Sequence, residues 1–346
     1  MKKTLPIIAL AGALAAHTAA AQDKLTISVY SFAQDAYKEL LYEPFQELCG
    51  CELVIETGNS IERMAKIEAN AADPVIDLAV ISSHDALSLA RKGLLSPLDT
   101  SRIPSFDKLY PAAQDPLGDN MGVGYTFYAT SIVYRSDLVD IKSWGDLLGP
   151  DLAGNVSLPN IVGTQGPLAL MMLDKSMGGS GDFSNVISKI GENADNIVTF
   201  YSRSSELAQL MNQEEVIAAP LGRFAWSGFK SSPLPFAWAE PEEGQAGGMN
   251  VMIMTKGNGN EELAYQLMDY WLSTEVQTRI AEARIDSPSN SEVVVSAEIA
   301  DDLTYGADLI NSLNIISPAD IIETRYLPKD GGPAVSSQFF EARSLH

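Results

Sequence analysis

Short runs of β-branched and apolar residues, LTISVYSF, CELVIE, IDLAVI, TSIVY, NIVTFY and VIAAP, recur between longer segments whose apolar residues fall three and four apart. Extended and helical patterns taking turns along one chain admit few architectures, and they predict an α/β protein. In 260–273, Leu263, Leu267 and Trp271 are spaced by four, as are Ala264, Met268 and Leu272, which makes one broad buried helix stripe. Val276, Ile280 and Ala283 continue it in a second helix, and Met64, Ile67 and Ala71 mark another that must end before Pro74. Nothing repeats at a fixed period, and no low-complexity linker divides the chain. A chain of 346 residues suggests two lobes. Without a linker, the chain crosses between them more than once, and the candidate crossings are strands, GYTFYATSIVYR at 124–135 and GGMNVMIMTK at 247–256.

The first residues, MKKTLPIIALAGALAAHTAAAQDKL, place Lys2 and Lys3 before an apolar run ending in small residues, the pattern of a secretory signal cleaved after Ala21. That run is shorter than the roughly 20 apolar residues of a spanning helix. Export is therefore expected, and loss of the two lysines takes the formal charge from −22 to −24. So acidic a surface repels phosphate backbones and anionic lipids, which argues against nucleic acid as a partner. Cys49 and Cys51 are the only cysteines. An oxidising compartment permits a bond between them, and a structural role at the Gly50 turn is favoured over redox chemistry, for which C-x-x-C is the usual spacing.

In open α/β sheets ligands bind beyond the carboxyl ends of strands, where the next helix presents unpaired N–H groups. The stretch DLAVISSHDALSLARKGLLSPLD stops its apolar run at Ser82, Ser83 and His84, where one serine can cap the helix and the other can meet a ligand. The same grammar recurs at Tyr30-Ser31-Phe32, at Gly163-Thr164-Gln165, and at Ser202 to Ser205, which includes Ser204. Each alone reads as a cap. Four together fit a cleft ringed by hydroxyls and helix N-termini. Arg223 opens a further helix after the VIAAP strand, and Trp226 follows it by three positions on the same face.

With these stretches, ATSIVYRSDLV, SWGDLLGPDLAGNVSLP, NEELAYQLMDYWLSTEVQTRIAE and the SPSN at 287–290, the chain resembles the periplasmic solute-binding proteins of ABC importers, in the branch that includes spermidine/putrescine-binding proteins. The resemblance runs the length of the chain after the signal. It implies a type II flytrap of two α/β lobes, each a mixed sheet flanked by helices, hinged by two crossing strands and closing on one small solute. Lobe one would be 22–125 plus 251–346, and lobe two 126–250. The implied partners are the solute and an inner-membrane permease with its ATPase; a periplasmic monomer needing no cofactor or metal is expected.

The polyamine pattern is only partly kept. Phe32 falls where the branch places a stacking aromatic, and His84 where it places a tyrosine. Gly248-Met249-Asn250 stands in place of Trp-Met-Asp, so a tryptophan and a carboxylate are both missing, and no acid lies at 160–163. Arg223 suits a carboxylate or phosphonate, or else pairs with one of the many acidic residues. Asp286 is the acidic residue expected at the cleft rim. Arg223 and Asp286 together would suit an amino acid-like zwitterion. A histidine-centred triad would have to use His84, and no serine lies in G-x-S-x-G, so an enzyme is disfavoured. No Tyr-Tyr pair is present for ferric iron.

Overall fold

The computed structural model describes residues 23–326 apart from 59, 162, 180 and 182, together with 337–339 and 341; the expected signal lies outside them. The strands are β1 (Lys24–Val29), β2 (Glu52–Thr57), β3 (Leu78–Ser82), β4 (Leu95–Ser96), the long β5 (Val123–Arg135), β6 (Val156–Pro159), β7 (Ile197–Tyr201), β8 (Ala218–Gly222) and β9 (Phe236–Trp238). A second long strand, β10 (Ala246–Thr255), and two short ones, β11 (Ser287–Pro288) and β12 (Asn314–Ile315), complete the set. One continuous hydrogen-bonded path runs β2-β1-β3-β10-β5-β8-β6-β7. Its two wings, β2-β1-β3 and β8-β6-β7, are parallel, as crossover helices require, whereas β10 and β5 run antiparallel to their neighbours.

The predicted crossings are these two long central strands. Val123, Tyr125 and Phe127 of β5 pack in one apolar cluster with β1, β3 and the helix Glu261–Leu272, while Tyr128 and Ile132 pack in another with β6 and the helix Gln165–Ser176. In β10, Met249 to Met254 belong to the first cluster apart from the partly exposed Asn250, and Ala246 belongs to the second. Two cores thus share two strands, which is the two-lobed arrangement expected from the sequence. The pairing of β5 with β10 shifts register between Asn250 and Val251, where Tyr125 is left without a partner, an irregularity in β5 just inside the first core.

The far end of 251–346, expected in lobe one throughout, packs differently. Ile321 and Phe339 are buried in the second cluster, and the helix Pro318–Tyr326 lies against both the helix Ser83–Arg91 and the helix Gln165–Ser176. The helices predicted at 260–273 and after it are present as Glu261–Leu272 and Thr274–Glu282, and the Ser273 hydroxyl accepts from the Val276 N–H at 3.3 Å to cap the second. Cys49 and Cys51 are bonded at the helix-to-strand turn, with Gly50 between them at φ 64°.

Candidate functional site

Between the two cores lies a cavity of about 250 Å³. From the first side it is lined by the end of β1, the turn after it and the helix that follows; from the second by the Thr164-Gln165 turn and Phe224; and β5 and β10 form its floor. The helical segment 34–49 explains one wall. Lys38–Tyr42 is wound as a π-helix, with bonds from i to i+5. Tyr37 and Tyr42 are five apart, so this winding brings them onto one face, stacked at 5.9 Å with an interplanar angle of 16°. Trp271 stands edge-on to both, at 5.7 and 6.4 Å, and lies 5.2 Å from Tyr125.

Asp286 faces this aromatic wall. The Tyr37 hydroxyl donates a short hydrogen bond to Asp286 Oδ2. Burial pushes the carboxyl up to about 6, and the bonds from Tyr37 and Thr126 only partly counter it. The same burial, reinforced by the Asp286 charge, holds the Tyr37 and Tyr125 phenols well above their ordinary value.

The remaining floor is polar: Asn250 Oδ1 accepts from the Tyr30 hydroxyl at 3.4 Å, and Thr126, Ser287 and Thr304 lie nearby. Behind Tyr30, the buried Arg63 guanidinium sits 4.1 Å over the ring and donates to the Ser28 and Val80 carbonyls.

At the mouth, Phe32 from the first side meets Phe224 from the second, edge to face at 6.3 Å; they remain 51% and 44% exposed. Outside this contact the two sides are joined by charge. Lys230 reaches Asp301 at 2.6 Å and Asp302 at 2.8 Å, and Arg284 reaches Asp302 at 2.6 Å. The Asp301–Asp302 turn is anchored through Leu303, which packs with Val293 and with Ala281 of the helix Thr274–Glu282 in a small separate cluster, and that helix buries Val276 and Ile280 in the first core.

Of the residues expected in the site, Phe32, Thr164, Gln165, Asn250 and Asp286 line the cavity. Ser31, Ser82, Ser83, His84, Ser204, Arg223 and Trp226 are not among its lining residues. Ser82, Ser83 and His84 are buried, and the Ser82 hydroxyl donates to Asp85 Oδ2 at 2.7 Å and lies 3.1 Å from His84 Nε2. The expected side-chain cap at Ser82 is therefore not made, because its hydroxyl bonds to the acid one turn on. Thr164 and Arg203 occupy cap positions without a side-chain cap bond, and the Ser202 N–H is taken by Glu206 Oε2 at 3.0 Å. Arg223 stacks 4.7 Å over Trp238, donates to the Asp301 backbone carbonyl and lies 3.6 Å from Asp301 Oδ1, so the pairing with an acidic residue is what the structure contains. Trp226 is buried against Trp238 in a third apolar cluster.

Sequence reasoning missed Tyr37, Tyr42, Phe224 and the cavity-facing side of Trp271. It also missed the meaning of Gly248. A Cβ there would lie 2.5 Å from the Tyr128 hydroxyl oxygen, so the missing side chain is what lets the Tyr128 ring take its place beside the cavity.

A family profile described as "Bacterial extracellular solute-binding protein" matches residues 41–307. The spermidine/putrescine-binding periplasmic protein of Escherichia coli is 26% identical over 332 residues, covering 89% of this chain and 91% of that protein. An ABC transporter structure from Clostridium perfringens is 28% identical with a TM-score of 0.79, covering 93% of this chain and 99% of that one. A spermidine/putrescine ABC transporter substrate-binding protein from Streptococcus pneumoniae, 18% identical with a TM-score of 0.73, shares the fold over 93% of this chain and 100% of its own. A profile match over most of the chain, on a fold of two cores sharing two strands around a lined cavity, places it: the chain belongs to the bacterial extracellular solute-binding proteins.

Proposed function

We propose that this protein is the periplasmic receptor of an ABC importer, that it delivers its solute to a membrane permease with its ATPase, and that the solute is a small organic cation. The charge of the cavity carries the reading. Asp286 is the one charged side chain among the described residues that line it, and no lysine or arginine is among them. A desolvated ammonium is costly without a counter-charge, and a carboxylate beside aromatic faces supplies both of the attractions it needs. The polyamine-binding names of the relatives point the same way. An organic anion would meet Asp286 with no cation to offset it, and Arg223, the residue suited to an anion, is engaged with Asp301.

In this reading lobe one comprises 22–125 and the chain from 251 through the Asp301–Asp302 turn, lobe two comprises 126–250, and the C-terminal helix bridges them. Solute binding shifts the lobes toward closure because it contacts both at once. Nothing in this function asks for covalent chemistry, and the family is one of solute binders rather than enzymes. Calorimetric titration of the ligand-stripped protein tests it: organic ammonium ions are expected to bind and glutarate or a phosphonate is not. Binding of the anions alone would refute the reading. Loss of uptake of the same solute in a deletion strain distinguishes import from sensing.

A further inference from the structure

We infer that the cavity selects a cation carrying a single positive charge on an N-alkylated, apolar-faced head, and that diamines and longer polyamines are poor solutes. The inference rests on the cationic reading above and narrows it.

Three observations converge. The first is the count of counter-charges: Asp286 alone among the described lining residues. A diamine would place its second ammonium against neutral groups, and an uncompensated buried charge is expensive. The second is the shape of the head site. Tyr37, Tyr42, Tyr125 and Trp271 stand together around the acid, with ring centroids 5.2 to 6.4 Å apart. A primary ammonium brings three N–H donors that all need acceptors, whereas an N-methylated head brings none or few and is attracted through its methyl surface to ring faces. At this end the Tyr37 hydroxyl already donates to Asp286 Oδ2, which takes up part of the carboxylate's accepting capacity. The third is the wall where a second carboxylate would be needed. Asn250 offers an amide whose oxygen already accepts from Tyr30, and the face of Tyr30 carries the Arg63 guanidinium. A second ammonium approaching that wall meets a neutral amide, and behind it the Arg63 guanidinium is set against the Asp85 carboxylate, so no uncompensated counter-charge is offered. The rest of the lining, Phe32, Phe224 and Leu303 with Thr164 and Gln165, suits an uncharged body.

The test compares matched probes on the ligand-stripped protein by calorimetry: butyltrimethylammonium and choline against putrescine and spermidine, with glutarate as the anion. The N-methylated monocations are expected to bind at least tenfold more tightly than putrescine. Putrescine or spermidine binding as tightly as the monocations overturns the inference and leaves the cationic reading standing. Glutarate binding without any cation binding overturns that reading, and no binding by any cation at millimolar concentration overturns both. Asn250→Asp supplies the missing acid and is expected to move the putrescine-to-monocation affinity ratio at least tenfold toward putrescine; an unchanged ratio in a folded variant counts against the argument.

Discussion

Asp286 is held at a proton affinity that makes it sensitive near neutral pH, and the sign of the effect differs for binding and for folding. Its carboxyl sits at about 6 against an ordinary 3.8, raised first of all by burial. A folded value above the unfolded one means that the native state binds the proton more tightly. The associated stability is fully present below about pH 4 and is lost as pH rises toward 6, on the order of 2 to 3 kcal/mol in all. Cation affinity runs the other way, falling about tenfold per unit once the pH drops well below 6, because only the carboxylate attracts an ammonium. Calorimetry between pH 5 and 8 checks the second trend. Asp286→Asn is expected to flatten it, to weaken binding by at least 30-fold, and to raise the melting temperature of the ligand-stripped protein at pH 7.5. At this scale the expected residues that do line the cavity leave the end of a strand or a turn, as with Phe32, Gln165 and Asn250. The sequence was misleading at Ser82 and His84, since nothing in their own stretch reveals that Asn250 of β10 pairs beside Ser82 and covers that end of the sheet.

Among the elements, the crossing strands were legible from glycines at one end and continuous apolar bodies, as strands buried on both faces require, and the helices at 260–282 from an undisturbed 3.6-residue period. The π-helical turn was not. Its i to i+5 bonds break the very period by which a helix is read, so Tyr37 and Tyr42 looked like ordinary packing positions when they form a wall of the site. Close backbone approaches are equally silent in a sequence. A Cβ at Gly166 would fall 2.3 Å from the Asn160 carbonyl oxygen, so Gly166→Ala is expected to push the helix Gln165–Ser176 off its seat and cost about 1 to 3 kcal/mol in urea unfolding. Gly248→Val acts on a side chain instead of the backbone. It should displace the Tyr128 ring into the cavity and weaken solute binding at least tenfold, while leaving the far-ultraviolet circular dichroism unchanged.

For the molecule as a whole, on the proposed reading, the contacts between lobes determine how strongly closure is favoured. Asp302 is nearly buried; burial raises its carboxyl, but Lys230 and Arg284 outweigh that and hold it below its ordinary range. Because Lys230 belongs to the side of Phe224 and Arg284 to the side of Asp286, Asp302→Asn loosens a contact made only when the lobes meet. The expected result is solute affinity two- to tenfold weaker, mostly through faster release, and a larger radius of gyration in small-angle scattering. High salt should mimic it in the parent protein and have little further effect in the variant. The helix Pro318–Tyr326 adds a constraint of another kind, since it touches the helix Ser83–Arg91 on one side and the helix Gln165–Ser176 on the other. If the lobes close as proposed, a jaw fastened by β5, β10 and this helix is expected to swing along one arc and to resist twisting. Whatever docks on the outside of such a jaw can therefore sense its load from a single angle.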